Sequence, residues 1–283
     1  MPQIFGKNFD LPLVIHIGTV QNRRTLPSTW HSHQGYELLF LMEGATSYEI
    51  TANKQVELLG GHFLVIPPGV IHRGVGDIRK PSTTCGVLFN PFSRNNCKNT
   101  PFTHRDIQWM CRSFKEASVG TWKLNLEMRQ ILLNLLKAKR ALEANPRDRI
   151  AKASLRIWVC ATILCAANNL KAPQLMGCNN LILAAKQFIE QHVGEPVKVA
   201  DLVKHVGLSR SRLFNLFKLE TGMTLNDYKL RICIERAQAQ LTTSNRSITN
   251  IALATGFSSS QYFSHVFRKY LGQTPLEYRK HHL

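Results

Sequence analysis

Two rhythms of apolar residues divide the chain. From about Leu13 to Leu88, Val, Ile, Leu, Phe and Thr gather in short alternating runs broken by Gly and Pro, as in EGATSYEITANKQVELLGGHFLVIPPGVIH. That pattern predicts antiparallel strands forming a barrel or double sheet. From about Asp106 the spacing changes. Leu124, Met128, Ile131, Leu135 and Leu142 recur at helical intervals with charged residues between them, which predicts a helix from about Trp122 to Glu143. Ile150 to Leu170 reads as a second apolar helix. Lys171 to Asn180, KAPQLMGCNN, has the Pro, Gly and Asn content of a linker. Helices resume at Leu181 and continue to the end.

The last hundred residues contain one pattern twice. A shift of fifty positions lays Ser209 on Ser259, Leu213 on Phe263, Phe217 on Phe267, Gly222 on Gly272 and Tyr228 on Tyr278. In the first copy, Val199 to His205 reads as a positioning helix, Gly207 as a tight turn and Ser209 as the N-cap of the next helix. Leu213, Leu216 and Phe217 follow at i, i+3 and i+4 and face a small core. The opposite face carries Arg210, Ser211, Arg212, Phe214, Asn215 and Lys218. In the second copy, Ile248, Ile251 and Ala252 lead into Gly256 and Phe257, and Ser259 is the cap. Phe263, Val266, Phe267 and Tyr270 turn inward, while Ser260, Gln261, Ser264, His265 and Arg268 turn outward.

A duplicated helix pair with a basic outer face is expected to read double-stranded DNA, the alternative being a docking module without DNA. Asn215 suits adenine and Phe214 a thymine methyl, and Gln261 and His265 are the base readers of the second copy. Arg210, Arg212, Lys218 and Arg268 suit phosphates, which position a helix without reading sequence. Charge agrees: 36 Lys+Arg against 18 Asp+Glu give a formal +18, favouring an acidic partner. The excess extends into the middle helices, which either add to the DNA-facing potential or simply carry solvated basic faces. No stretch of about 18 consecutive uncharged apolar residues appears, so no membrane span is expected. The first residues lack the basic and apolar regions of a secretory signal. Seven scattered cysteines without a C-x-x-C pair suggest reduced thiols in a cytoplasm.

The segment from about Leu181 to Leu283 resembles the DNA-binding domain of the AraC/XylS family of bacterial transcription regulators, most closely in IALATGFSSSQYFSHVFRKYLGQTPLEYRK. The resemblance implies two helix-turn-helix units joined by a long helix, here Leu225 to Thr242, entering successive major-groove segments. It also implies homodimers and contact with RNA polymerase. His265 departs from the pattern, standing where the family often has Arg.

In the front region, WHSHQGYELLFLMEG places His31, His33 and Glu37 at one parity, so on one strand they point to one face. His72 arrives after the Pro67-Pro68-Gly69 turn. Three imidazoles and a carboxylate suit a divalent transition metal. These segments resemble the two motifs of the cupin superfamily, with Thr25 in place of a usual Gly and Gly76 in place of a usual Asn. Three readings of His31, His33, Glu37 and His72 stand side by side: metal ligands, polar lining for a small effector, or residues bonded within the barrel. Trp30 either stacks on a sugar ring or belongs to the core. The helix from about Trp122 either pairs in a dimer or packs on the barrel.

The expected fold is α+β: a cupin-like antiparallel β-barrel followed by helices, then an all-α domain with two helix-turn-helix motifs. The expected boundaries are residues 1–100 for the barrel, 101–171 for the helical segment, 172–180 for the linker and 181–283 for the reader. The expected function is a transcription regulator, an activator by family resemblance, controlled by a small molecule such as a carbohydrate and requiring no cofactor. An enzyme built on the metal ligands and an architectural DNA-binding protein are the alternatives. No separate acid/base set near the ligands favours the enzyme.

Overall fold

A computed structural model describes residues 3–22, 25–51, 54–117, 119–171, 180–195 and 198–282. The linker expected over residues 172–180 lies outside them except for Asn180. The strands are β1 (Gln3–Phe5), β2 (Val14–Asn22), β3 (Leu26–Pro27), β4 (Tyr36–Ile50), β5 (Lys54–Leu59), β6 (His62–Ile66), β7 (His72–Gly74), β8 (Ile78–Arg79), β9 (Ser82–Phe89) and β10 (Gly120–Lys123). Three helices join them: α1 (His104–Glu116), α2 (Leu126–Ala144) and α3 (Arg149–Lys171). The remaining helices are α4 (Asn180–Gln191), α5 (Val199–Val206), α6 (Arg210–Thr221), α7 (Leu225–Thr243), α8 (Ile248–Ala254), α9 (Ser260–Leu271) and α10 (Pro275–His282).

The main sheet is antiparallel in the order β1-β2-β9-β4-β6-β10, with β5 and β7 paired to the second half of β4. Strand β4 is the backbone of this domain. Its run Tyr36–Leu41, YELLFL, does not alternate in polarity because both of its faces are buried. Leu38 and Phe40 face one core with Phe63, Val65, Val87 and Phe89, closed by α1, α2 and α3. Leu39 and Leu41 face a second core with Tyr48, Ile50, Leu58, Leu64 and Ile66. Glu37 shares the parity of Leu39 and Leu41, and its pairing neighbours are Ile66 and Leu88.

Residues 101–171 are not wholly helical. Gly120–Lys123 forms β10 on the edge of β6, Trp122 facing His62's neighbour Phe63 across the ladder. Asn125 then caps α2 by accepting from the Met128 N–H, so the helix begins four residues after Trp122. The predicted α2 stripe is real, and it packs inward: Met128, Leu132, Leu135 and Leu142 are buried against the sheet and α3. Residues 149–170 of α3 have the length and composition of a membrane span, but half of that stretch is buried within the protein. The described cysteines, Cys85, Cys97, Cys111, Cys160, Cys165 and Cys233, are free thiols.

One buried cation ties α2 to the sheet. Lys139, 1% exposed at its side chain, donates to Glu143 Oε1 at 2.6 Å and to Thr19 Oγ1 at 3.1 Å. A buried charge deprived of its partner is costly. Because Glu143 is 32% exposed, Lys139→Ala is expected to cost about 2 kcal/mol, less than the ~3–5 kcal/mol of a fully buried pair. Lys139→Met, which keeps the packed stem, should cost less than Lys139→Ala in urea denaturation.

Candidate DNA interface and sensor site

Each reading helix is fixed by the same local devices. Gly207, at φ 68°, ends α5 in a left-handed turn, and Ser209 caps α6 by accepting from the Arg212 N–H. Ser259 caps α9 by accepting from the Tyr262 N–H. Gly222 (φ 65°) and Gly272 (φ 78°) close the two helices at equivalent places; only glycine takes this backbone without strain. The first unit packs Ile182, Ile189, Leu202, Leu213, Phe217 and Tyr228 into one core. The second packs Ile234, Ile251, Phe257, Phe263, Val266 and Phe267 into another. Helix α7 contributes to both.

The outward faces emerge as the sequence requires. Arg210, Ser211, Arg212, Asn215 and Lys218 are exposed on α6, and Gln261, His265 and Arg268 on α9; Ser260 and Ser264 are half-buried. Phe214 is also half-buried, packed against the first core, with the Arg210 guanidinium 5.6 Å from its ring centroid. One side of Phe214 thus supports the helix, leaving only the remainder for a base. Lys218 is already engaged: its Nζ lies 2.9 Å from Glu43 Oε1 on β4. Sequence reasoning did not foresee this contact, since nothing local links the two residues.

The histidine cluster assembles by a route different from the one expected. His31 and His33 precede β4 rather than lying on it. An isolated bridge between His31 and His72, and the Gly69 N–H donating to the His33 carbonyl at 2.8 Å, bring the segments together. The rings pack with centroids 4.2 Å apart for His31 and His72, 5.1 Å for His31 and His33, and 5.3 Å for His33 and His72. One donor atom from each histidine lies within 4.8 Å of the others. Below them Glu37 Oε2 is 3.4 Å from His33 Nε2 and 3.2 Å from His72 Nε2.

The protons in this cluster are constrained. His72 Nδ1 lies 3.0 Å from the Val70 carbonyl and His31 Nδ1 lies 2.8 Å from the Thr29 carbonyl. A carbonyl only accepts, so each Nδ1 carries the proton and donates it. A neutral His72 then turns an Nε2 lone pair toward a carboxylate lone pair. Only a cation between them, a second proton or a metal ion, makes that contact favourable. His33 Nε2, Glu37 Oε2 and His72 Nε2 are buried without a hydrogen-bond partner that satisfies them. Burial pushes the Glu37 carboxyl up, but the His33 and His72 rings, each able to donate to it only when its Nε2 carries a proton, outweigh burial and hold the group below the usual carboxylate range. Burial also depresses His31, against the opposing pull of its bond to Thr29.

Two neighbours were missed in the sequence. His16 on β2 senses the charges of Glu37 and His33, is depressed by burial, and leaves its Nδ1 buried and unpartnered. A lone histidine in a strand carries no signal of that placement. Arg73 lies over Trp30, 4.5 Å from the ring centroid, and donates to Glu49 Oε2 at 2.6 Å. Trp30 is 42% exposed and therefore not core; one of its faces is taken by Arg73.

Comparison with known proteins agrees with both halves. Residues 17–158 match the AraC-like ligand binding domain and residues 202–281 a helix-turn-helix domain. Over 277 residues the chain is 35% identical to the Msm operon regulatory protein of Streptococcus mutans, covering 96% of this chain and 94% of that protein. It is 39% identical over 93 residues to the HTH-type transcriptional activator RhaR of Mannheimia succiniciproducens, covering 32% of this chain and 33% of that protein. It is 36% identical over 98 residues to the Xylose operon regulatory protein of Escherichia coli, covering 35% and 25%. The chain belongs to the AraC family of transcription regulators. It is a DNA-binding regulator with a ligand-binding domain, not an enzyme.

Two outcomes follow from the geometry. Asn215→Ala should relax preference at one base position, at a cost of about 1–3 kcal/mol, and leave binding to mixed-sequence DNA nearly unchanged; selection of bound sequences from random duplexes reads this directly. Acid should weaken the sensor domain. The folded His31 binds its proton less readily than an unfolded histidine, whose ordinary value is 6.5. Its contribution is therefore complete above that value and fades as pH falls through it. Glu37 adds a loss further down, below the ordinary carboxylate range. The thermal midpoint should fall on acidification from neutrality, and His31→Gln should flatten the upper part of that fall.

Proposed function

We propose that this regulator is a cytoplasmic transcription activator whose effector is a small carbohydrate held over the histidine cluster, with no cofactor needed for DNA binding. The observation that carries it is the convergence of His16, His33, Glu37 and His72, each with a buried polar atom left unpartnered. A sugar carries several hydroxyls, each with one hydrogen to donate, so separate hydroxyls can satisfy the Glu37 carboxylate and the Nε2 lone pair of a neutral imidazole. His31 and the free face of Trp30 border the same place, and an indole face suits the apolar side of a sugar ring. Support also comes from the names of relatives: one regulates a xylose operon and another is called an activator.

A second reading concerns a divalent transition metal. His31, His33, Glu37 and His72 fit one: two imidazoles have their Nδ1 protons committed to backbone carbonyls, leaving Nε2 as the donor, and Glu37 supplies charge. These four would hold the ion, and it would supply a Lewis-acidic point for an effector oxygen.

The regulator works as a homodimer in this reading, with an exposed apolar stripe of α3 as the proposed face. Ile150, Ile157 and Leu164 on α3 are 78%, 62% and 39% exposed, seven residues apart on one stripe. The α2 stripe read from the sequence packs inward, while Leu126 and Leu133 on its other face are exposed. Contact with RNA polymerase completes the activator role, from DNA-bound dimers whose two arrangements the effector selects between.

The deciding experiment is DNA selection and calorimetry on the purified chain with a panel of sugars and, separately, Zn²⁺ or Co²⁺. A sugar that binds stoichiometrically, changes DNA occupancy and loses about ten-fold or more in affinity in Glu37→Gln supports the effector site. Metal binding abolished by His72→Ala, with no sugar response, selects the second reading. DNA occupancy indifferent to every compound would refute both.

A further inference from the structure

The β domain grips the first reading unit at the C-terminal end of α6. Lys218 pairs with Glu43, Glu220 with Lys123, and the Leu219 carbonyl accepts from Arg129 at 2.7 Å. One helix further on, Arg231 of α7 donates to Glu57 Oε1 at 2.6 Å. Apolar contact accompanies the charges: Ala45 is buried in the first reader's core and Leu59 packs against it. Beside these contacts lies a cleft of about 890 Å³, lined by Lys80 and Glu43 on one wall and Lys218, His265 and Arg268 on the other.

Two glycines set how closely the parts approach. A Cβ built on Gly60 falls 2.6 Å from both Gly222 Cα and the Thr221 carbonyl, and one on Gly222 falls 2.4 Å from Gly60 Cα. The Gly44 N–H donates to the Gly222 carbonyl at 3.4 Å. Gly222 needs its left-handed backbone to end α6. Gly60 has no positive φ, so the turn it occupies does not demand glycine; the close approach of the other domain does.

We propose that this contact is an autoinhibitory latch, in which Glu43 occupies the Lys218 ammonium that otherwise meets a DNA phosphate. The inference rests on the DNA-binding role of α6. Strand β4 links the latch to the sensor: it carries Glu37 in the histidine cluster and Glu43, Gly44 and Ala45 at the interface, about 20 Å further along at a strand's rise per residue. Between them its pairing with β9 shifts register, between Leu41 and Glu43, where an extra residue bends and re-aims a strand. A ligand that binds Glu37 differently in two strand arrangements therefore biases the latch by that difference in affinity.

The test uses the full chain and a mixed-sequence duplex, because a phosphate contact is indifferent to sequence. Glu43→Gln should tighten DNA binding about two- to five-fold, the range expected for freeing one exposed ion pair. Lys218→Ala should weaken binding and lower the salt slope by about one, and in that background Glu43→Gln should gain nothing. Gly60→Ala, by forcing the domains apart, should tighten binding at least as much as Glu43→Gln and leave no further gain for it. Glu116→Gln, on the exposed end of α1, controls for the loss of one negative charge. An equal gain from Glu116→Gln, a Glu43→Gln gain that survives Lys218→Ala, or weaker binding by a folded Gly60→Ala variant overturns the latch while leaving DNA binding intact. No affinity for DNA in the wild type or any variant overturns the DNA-binding role and the latch together.

Discussion

Strand β4 must be buried on both faces at once, and the sensor domain is organised by that requirement. Its fifteen residues pair with β9 and β6 in the first half and with β5 and β7 in the second. Leu38 and Phe40 demand helices on one side, which is why α1, α2 and α3 cover the sheet. Leu39 and Leu41 demand a closed apolar layer on the other. Each fully buried side chain of this size contributes roughly 1.5–3 kcal/mol. A one-residue slip would exchange the two sets and place Glu37 among the aromatic side chains of the helix-covered core. The carboxylate is tolerated only because this register delivers it to the imidazoles of His33 and His72.

The reading domain obeys a simpler rule. Gly207, Gly222 and Gly272 end α5, α6 and α9 in the left-handed region, and each reading helix begins with a serine hydroxyl on a free N–H. These devices are local, so they were legible. The spacing of Leu213 and Phe217, or of Phe263 and Phe267, names the buried face without knowledge of the fold. The strands between Leu13 and Leu88 were legible for the same reason.

What was not legible is non-local or short. The parity of His31, His33 and Glu37 led to the right cluster by an incomplete route, because the first two residues sit before the strand and are placed by a bridge to His72. Strand β10 spans only Gly120–Lys123 and takes its conformation from the edge of β6, so its neighbours' helical periodicity masked it. Glu43, Glu57 and Arg231 look like ordinary surface charges. Their partners are supplied by a domain far away in the chain, 174 positions apart for Arg231 and Glu57, and no periodic signal reaches that distance.

Helix α7 belongs to both reader cores: Leu225 and Tyr228 lie in the first, Cys233, Ile234, Ala237 and Leu241 in the second. Its 19 residues make a rod of roughly 28 Å that turns about 100° with each residue. A single insertion would swing one reader around the axis relative to the other. The spacing of the two reading helices is therefore an inherited gauge, while the outward side chains of each helix stay open to change. Promoters under this regulator can drift in spelling far more readily than in metre.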